Sequence, residues 1–288
     1  MKKKLPLSTK LILLIFAIFY ATPFVSTTIY AFATKWGKTI LPQGVTLEWI
    51  KQLFGDTNFY VAIGHSFLLA IVSLIVLLVV MLPAVYVVYH MFPKVDYTMQ
   101  YFSLVSYALP GVILATGLLK IYSGSQIPMF LVLVGALFIT SLPLIYQGIR
   151  NSMVAIDSKS LIEASKMLGA SSMTTFLKVI LPNIRFGVLL SSLMIFSGFL
   201  GEFVLTNLLI GGRFQTIRIY MLRRMNENGH IASSVMVVYF IILFLVGFGM
   251  NQLSKKMKES ANNTRKKRRF GRESQKIVEK NTSTAKIS

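Results

Sequence analysis

Glu202 is the one acidic residue inside an apolar run of membrane length in this 288-residue sequence. A carboxylate at such depth is costly, and it faces a bundle interior or a water-filled cavity. Two roles suit it: contact with a cationic solute along a path, or a structural pairing with Arg213 or another inward polar group. Thr206 and Asn207 follow about one helical turn later and share its face. Little else in the chain is suited to catalysis. The ten acidic residues are dispersed, and there is no cysteine. His65, His90 and His230 lack metal-ligand spacing, and His65 reads as a packed or interfacial residue rather than a proton relay. No Gly-x-x-x-x-Gly-Lys-Ser/Thr phosphate loop occurs. The expectation is a chain without catalytic residues, metal or cofactor of its own.

The elements that position Glu202 are long and apolar. Hydrophobic residues make up 54% of the chain and charged ones 14%, against about a quarter charged in soluble domains; mean hydropathy is +0.65. Six runs reach transmembrane length: Leu11–Ala33, Val61–Tyr89, Tyr101–Ile121, Pro128–Ile149, Phe186–Ile210 and Ile231–Leu253. Pro83, Pro110 and Pro143 are expected to bend their runs, which neighbouring helices tolerate. The fold class predicted is an all-α polytopic membrane protein. Trp36 and Trp49 flank the first outer loop, where an interfacial belt would place them. In that loop "LEWIKQLF" reads as a short amphipathic helix.

Basic residues set the orientation. With the N-terminus inside, the inner segments hold 22 Lys and Arg and the outer loops 8; cytoplasmic loops carry that excess. Both termini are thus expected in the cytoplasm. The start "MKKKLPLSTKLILLIFAIFYA" also resembles a signal peptide, but its apolar run continues through "TPFVSTTIYAFA", so an uncleaved first span is expected. The net charge of +20 is concentrated in the tail, where 12 of the 30 Lys and Arg follow residue 254. A solvated tail that holds the C-terminus inside, or contacts anionic lipid, explains it without nucleic acid. The division expected is a basic N-terminus over 1–10, a membrane domain over 11–254 and a basic tail over 255–288.

Between the fourth and fifth runs lies a polar connection no bilayer would accept. Ser160 and Glu163 have capping-box spacing, a helix follows through Leu168, and Gly169 is placed for a left-handed stop. Ser171 or Ser172 can cap a second helix, which Pro182 would end ahead of the fifth run. A helix of about two turns does not persist alone in water, so its apolar side must dock. The surface is either the protein's own inner face or a cytoplasmic partner.

The stretch "EASKMLGASSMTTFLKVILP" resembles the signature of binding-protein-dependent ABC importer permeases. Glu163, Ala164, Gly169, Leu181 and Pro182 match at the family spacing; Ser165 stands for a second Ala and Val179 for Ile. With "LGEFVLTNLLIGG" from Leu200, the pattern is similar to the spermidine/putrescine branch, whose relatives take up iron(III), thiamine or phosphonates. The resemblance spans about residues 8–254. It implies a six-span type I importer subunit whose segment 157–182 carries a coupling helix between spans 4 and 5. It also implies a cytoplasmic ATPase dimer that binds ATP and Mg, a second permease subunit, an extracytoplasmic substrate-binding protein and a bacterial inner-membrane location.

The last outer loop, "GGRFQTIRIYMLRRMNENGH", is discordantly basic. Arg213, Arg218, Arg223 and Arg224 are candidates for docking acidic groups of the binding protein; the alternative is a locally paired loop tolerated during insertion. An ion-coupled secondary transporter would carry more titratable residues at depth, and a membrane-embedded enzyme would cluster His, Asp or Glu. Neither accounts for the spacing from Glu163 to Pro182.

Overall fold

A computed structural model describes residues 6–37 and 39–249 together with Gln252 and Lys255. The first five residues and the basic tail after Lys255 lie outside the described residues. Helix α1 (Leu7–Phe32) is followed by a small antiparallel hairpin, β1 (Ala33–Lys35) and β2 (Gln43–Val45), and by α2 (Glu48–Gly55). Next come α3 (Thr57–Met91), α4 (Pro93–Ala108), α5 (Gly111–Tyr122), α6 (Met129–Ala155) and α7 (Ser158–Met167). Then follow α8 (Ser172–Thr175), a π turn (Phe176–Ile180), α9 (Leu181–Leu200), α10 (Val204–Leu209), a 3-10 turn (Gly211–Phe214), α11 (Ile217–Glu227) and α12 (Gly229–Gly249).

Among the described residues five helices are long and apolar enough to cross a membrane: α1, α3, α6, the continuous helix Ser172–Leu200 and α12. The pair α4 and α5 makes a sixth when counted as one broken span, bent by 87°. The all-α polytopic reading therefore holds, with the two-stranded hairpin as a minor addition. The third run is not the single kinked helix expected. Pro110 disfavours helical backbone at Leu109, so α4 ends at Ala108 and Pro110, extended at φ −61° and ψ 131°, becomes the N-cap of α5.

The fifth span is displaced as well. It runs Ser172–Leu200, not Phe186–Ile210, and it passes through Pro182 rather than starting beyond it. Proline lacks the N–H that an α-helix needs at that point. The π turn just upstream supplies the adjustment, since Leu181 N–H bonds Phe176 O five residues back. Asn183 Nδ2 donates to Val179 O at 2.7 Å.

The chain forms two compact units. One gathers the described residues up to Val80 with Tyr101–Pro143 and Ile195–Phe244. Its core joins Leu53 of α2, Phe59 and Ala62 of α3, Ile217 and Tyr220 of α11, and Val235 of α12. Three planar rings stack beside it: His230 lies 4.1 Å from Tyr30 and 5.3 Å from Trp49. Trp49 also donates to Ala33 O at 3.0 Å, pinning amphipathic α2 to the hairpin. His65 packs on Phe214 at 4.3 Å with its Nδ1 3.1 Å from Gln215 O.

The second unit holds Met81–Gln100 and Leu144–Met194 with the described residues from Leu245. Its α6 and α9 approach so closely that a Cβ on Gly148 would sit 1.9 Å from Ser191 Oγ, and one on Gly187 2.0 Å from Ser152 Oγ. Small residues permit such crossings where lipid gives helices no hydrophobic drive to associate.

Candidate functional site

The segment from Glu163 to Pro182 is a helix, a left-handed stop and a second helix, all within the second unit. Its entry differs from the expected capping box. Helix α7 starts at Ser158 behind Asp157, which is left-handed at φ 48° and ψ 58°. Ser160 Oγ donates to Asp157 Oδ2 at 2.6 Å, so the serine hydroxyl serves Asp157 and not the amide of Glu163. Asp is among the few side chains that tolerate this conformation, and it lets the chain turn from α6 into α7 within two residues.

The exit follows the sequence expectation. Gly169 has φ +79°. Gly169 N–H donates to Lys166 O at 2.9 Å and Ala170 N–H to Ser165 O at 3.0 Å, the two bonds of a Schellman stop. Ser171 then caps α8 by accepting from Thr174 N–H at 3.2 Å. Ile162 and Ser165 are buried, and the Ser165 hydroxyl donates to Leu161 O at 2.8 Å. Glu163 and Ala164 are exposed. Met167 and Leu168 are each 88% exposed, and Met173 is exposed beyond the stop. Ile162 thus fixes α7 to its own chain while three large apolar side chains face outward. Val179 and Leu181 are half-buried and Pro182 is exposed.

Sequence reasoning missed a charged network behind this segment. Asp96 of α4 is 5% exposed. Both its oxygens accept from Arg150 Nε, at 3.2 and 3.0 Å, and Oδ1 accepts from the Tyr146 hydroxyl at 2.7 Å. Arg150 also lies over the Tyr89 ring at 5.6 Å, and Lys159 of α7 over the same ring at 5.7 Å. Asp96 read as an inner-loop residue because α4 begins eight residues before the third apolar run. The available signal was Tyr146 and Arg150, one turn apart on one face, two charge-seeking groups at the inner end of an apolar helix.

Glu202 lies between helices, not within a span. Its carboxylate accepts from Leu205 N–H and Thr206 N–H, both at 2.8 Å, and from the Thr206 hydroxyl. It therefore caps α10, filling donors left free at a helix start, with the negative charge at the positive end of the dipole. Thr206 is fully buried and Glu202 half-buried; Asn207 is half-buried too and is not among the Glu202 partners. Among the described residues no ion pair joins Glu202 to Arg213. Helix α10 packs on α5, with Val204 3.6 Å from a Cβ placed on Gly111.

The four outer arginines divide into two pairs. Arg218 Nη1 donates to Gly201 O at 3.2 Å. Arg224 bonds Asp56, donates to Glu227 Oε2 at 2.6 Å and lies over the Tyr220 ring. Arg213 and Arg223 are exposed, with no ion pair among the described residues. Tyr220 donates to Asp56 Oδ2 at 2.7 Å, so Asp56 ties the start of α3 to α11. Burial works to raise the Asp56 carboxyl. Bonds from Tyr220, the Asn58 N–H and Arg224 outweigh it and hold the group below its ordinary 3.8. Burial, then the bond to Asp56, pushes the Tyr220 phenol up to about 12.

A depressed carboxyl contributes stability that is full above its unfolded pKa and is lost as pH falls through the folded value. The thermal midpoint in detergent should therefore drop more steeply for wild type than for Asp56→Asn as pH falls below 3.8. Parallel curves for the two proteins would remove Asp56 from the stabilising clasp.

With this geometry in place, similarity to known proteins becomes informative. The chain aligns with the MetNI methionine ABC transporter in an inward-facing conformation at 19% identity and TM-score 0.56, over 68% of this chain and 94% of that one. A bacterial ABC transporter that imports the acidic polysaccharide alginate aligns at 15% identity and TM-score 0.61, over 85% and 94%. At these identities the likeness is one of fold. The family model for the inner membrane component of binding-protein-dependent transport systems matches residues 81–258, the region that holds α7, the Gly169 stop and the Pro182 helix. Since that match takes in well over half of the chain, the protein belongs to the family of binding-protein-dependent transport system inner membrane components.

Proposed function

We propose that this chain forms the translocation path of an ATP-driven importer and receives the work of hydrolysis through α7. The single observation that carries this reading is the sharply stopped two-turn helix whose Met167 and Leu168 are each 88% exposed. Burying two such side chains contributes roughly 1.5–3 kcal/mol each, enough to seat a short helix in a groove of a cytoplasmic ATPase. Glu163 and Ala164 lie on the exposed side and would enter that groove; Ser165, Gly169, Val179, Leu181 and Pro182 would shape the segment. ATP and Mg would be bound by the ATPase dimer, and this chain would hydrolyse nothing.

The remaining parts follow from the same assembly. A second permease subunit would complete the path, with α1, which buries only Ala31, free to face it or lipid. Arg213 and Arg223 are the exposed cations that an acidic substrate-binding protein would meet; Arg218 and Arg224 hold that surface in shape. The excess of Lys and Arg on the inner segments supports a bacterial inner-membrane location with both termini on the cytoplasmic side. Polyamine as the solute rests on the likeness of "LGEFVLTNLLIGG" to the spermidine/putrescine branch, with Glu202, Thr206 and Asn207 beside the path. Iron(III), thiamine and phosphonate are the competing substrates.

The test is purification of the tagged protein in mild detergent, mass spectrometry of what stays bound, and uptake by vesicles holding the assembly. A bound ATPase with a phosphate loop and ATP-driven accumulation of labelled spermidine are expected. Accumulation of thiamine or a phosphonate instead would reassign the substrate alone. A preparation without ATPase that takes up solute on an ion gradient would overturn the importer reading.

A further inference from the structure

We propose that Asp96 is a positioning residue that makes α7 and the inner half of α4 move as one body. The inference rests on the coupling role just assigned to α7. Its observation is a continuous path of polar and ring contacts inside one unit. Asp96 of α4 holds Arg150 of α6 through both carboxylate oxygens, at 3.0 and 3.2 Å, and takes the Tyr146 hydroxyl at 2.7 Å. Arg150 lies over the Tyr89 ring of α3, and Lys159, the second residue of α7, lies over that ring too. Three residues before Tyr89, the Tyr86 ring packs at a tilt of 42° on Phe176 at 4.9 Å and its hydroxyl is 3.4 Å from Ser172 O. Both arms of the polar connection are therefore held by the inner end of α3, and Asp96 locks α4, which follows α3 after Phe92 alone, against that hub.

Such a junction transmits force because its geometry has few alternatives. The Arg150 Nε–H is shared between both oxygens of Asp96, a charge-assisted bond that the Tyr146 hydroxyl on Oδ1 helps to orient. The carboxylate is 8% exposed and the arginine 23% exposed at their side chains, so little water can substitute for a lost partner. Removing one member of a partly buried pair leaves the other charge uncompensated. In Asp96→Asn the charge and one of the two acceptor oxygens are lost, which weakens the hold of α4 on Arg150, while α7, its Gly169 stop and its outward Met167 and Leu168 remain as they were. Docking of the ATPase survives, and its movement reaches α4 only through Phe92, the residue that joins it to α3, so α4 no longer keeps its angle to α7.

The chain has no native cysteine, which permits paired spin labels at Thr98→Cys on α4 and Ser160→Cys on α7, both exposed. Distances are read by pulsed electron resonance in the complex carrying its co-purified ATPase, first without nucleotide and then with ATP and vanadate. With Asp96 present, the Thr98–Ser160 distribution is expected to be the same in both states. With Asp96→Asn it should match the wild type without nucleotide, and shift by more than its own width when ATP and vanadate are added. Tyr146→Phe, which deletes one hydroxyl, should shift in the same direction by less, and it serves if Asp96→Asn does not fold. Distributions unaffected by nucleotide in both variants would overturn the proposal, as would equal broadening in both states, the mark of a purely structural bond. Wild type lacking any bound ATPase would instead overturn the reading on which the proposal rests, and the proposal with it.

Discussion

Gly169→Val should leave the protein folded in the membrane and strip the ATPase from it. Space is not the obstacle, because nothing lies within 4 Å of a Cβ placed there. The obstacle is the backbone at φ +79°, which a β-branched residue resists most and which costs about 1–2 kcal/mol for an ordinary L-residue. The chain escapes that cost by turning Gly169 to negative φ, and the escape breaks both bonds of the stop, to Lys166 O and Ser165 O. Each such bond contributes only about 0.5–1.5 kcal/mol, so the fold survives. What changes is the exit direction of α7 and the place where Met167 and Leu168 point. Retained ATPase should fall more than tenfold in Gly169→Val at equal membrane content. In Gly169→Asn, whose side chain tolerates positive φ, it should stay near the wild-type amount. Full retention by the valine variant would mean that α7 is not the docking element.

The parts of this mechanism that were legible in the sequence share a physical basis. Gly169 and Ser171 announce themselves because backbone that only glycine adopts easily, and a hydroxyl at a helix start, are local requirements met within a few residues. The spans were legible because bilayer thickness sets their length. The errors arose where two signals of that kind competed. Ser160 with Glu163 fitted a capping box, yet Asp157 lies three residues before Ser160 and takes its hydroxyl, so α7 starts three residues earlier. Pro182 looked like a helix end, and the π turn at Phe176–Ile180 carries the helix past it. Such turns recur at functional sites.

Glu202 shows the other limit. An acidic residue amid apolar ones reads equally as a ligand or as a structural group, and only coordinates reveal that its oxygens face Leu205 and Thr206. Asp96 failed for the opposite reason. Its partners Tyr146 and Arg150 lie 50 and 54 residues away, beyond the reach of any local pattern. The same holds for Asp56, whose partners Tyr220 and Arg224 are 164 and 168 residues distant.

Gly148→Ala is the second substitution with a large expected effect, and its rescue makes the test specific. "GIRNS" on α6 and "GVLLS" on α9 each read Gly-x-x-x-Ser. Run antiparallel, they set Gly148 against Ser191 and Gly187 against Ser152. Each serine hydroxyl donates back to its own helix, Ser152 to Gly148 O at 2.6 Å and Ser191 to Gly187 O at 3.1 Å. The crossing is thus sealed by two small side chains with their polar ends satisfied. A methyl on Gly148 would sit 2.5 Å from Ser191 Cβ, and rotating the hydroxyl away does not relieve that contact. Overpacking of this kind costs roughly 1–3 kcal/mol, read as a lowered unfolding midpoint in mixed micelles. Adding Ser191→Gly removes the opposing Cβ and should recover most of the loss, a non-additivity expected only of residues in contact. Additive losses would mean that the helices do not meet there. Arg150 lies between Gly148 and Ser152 on α6, so a crossing forced apart also moves the guanidinium that grips Asp96. Gly148→Ala should accordingly loosen the junction between α7 and α4 even in the fraction that remains folded, and the rescued double variant should tighten it again.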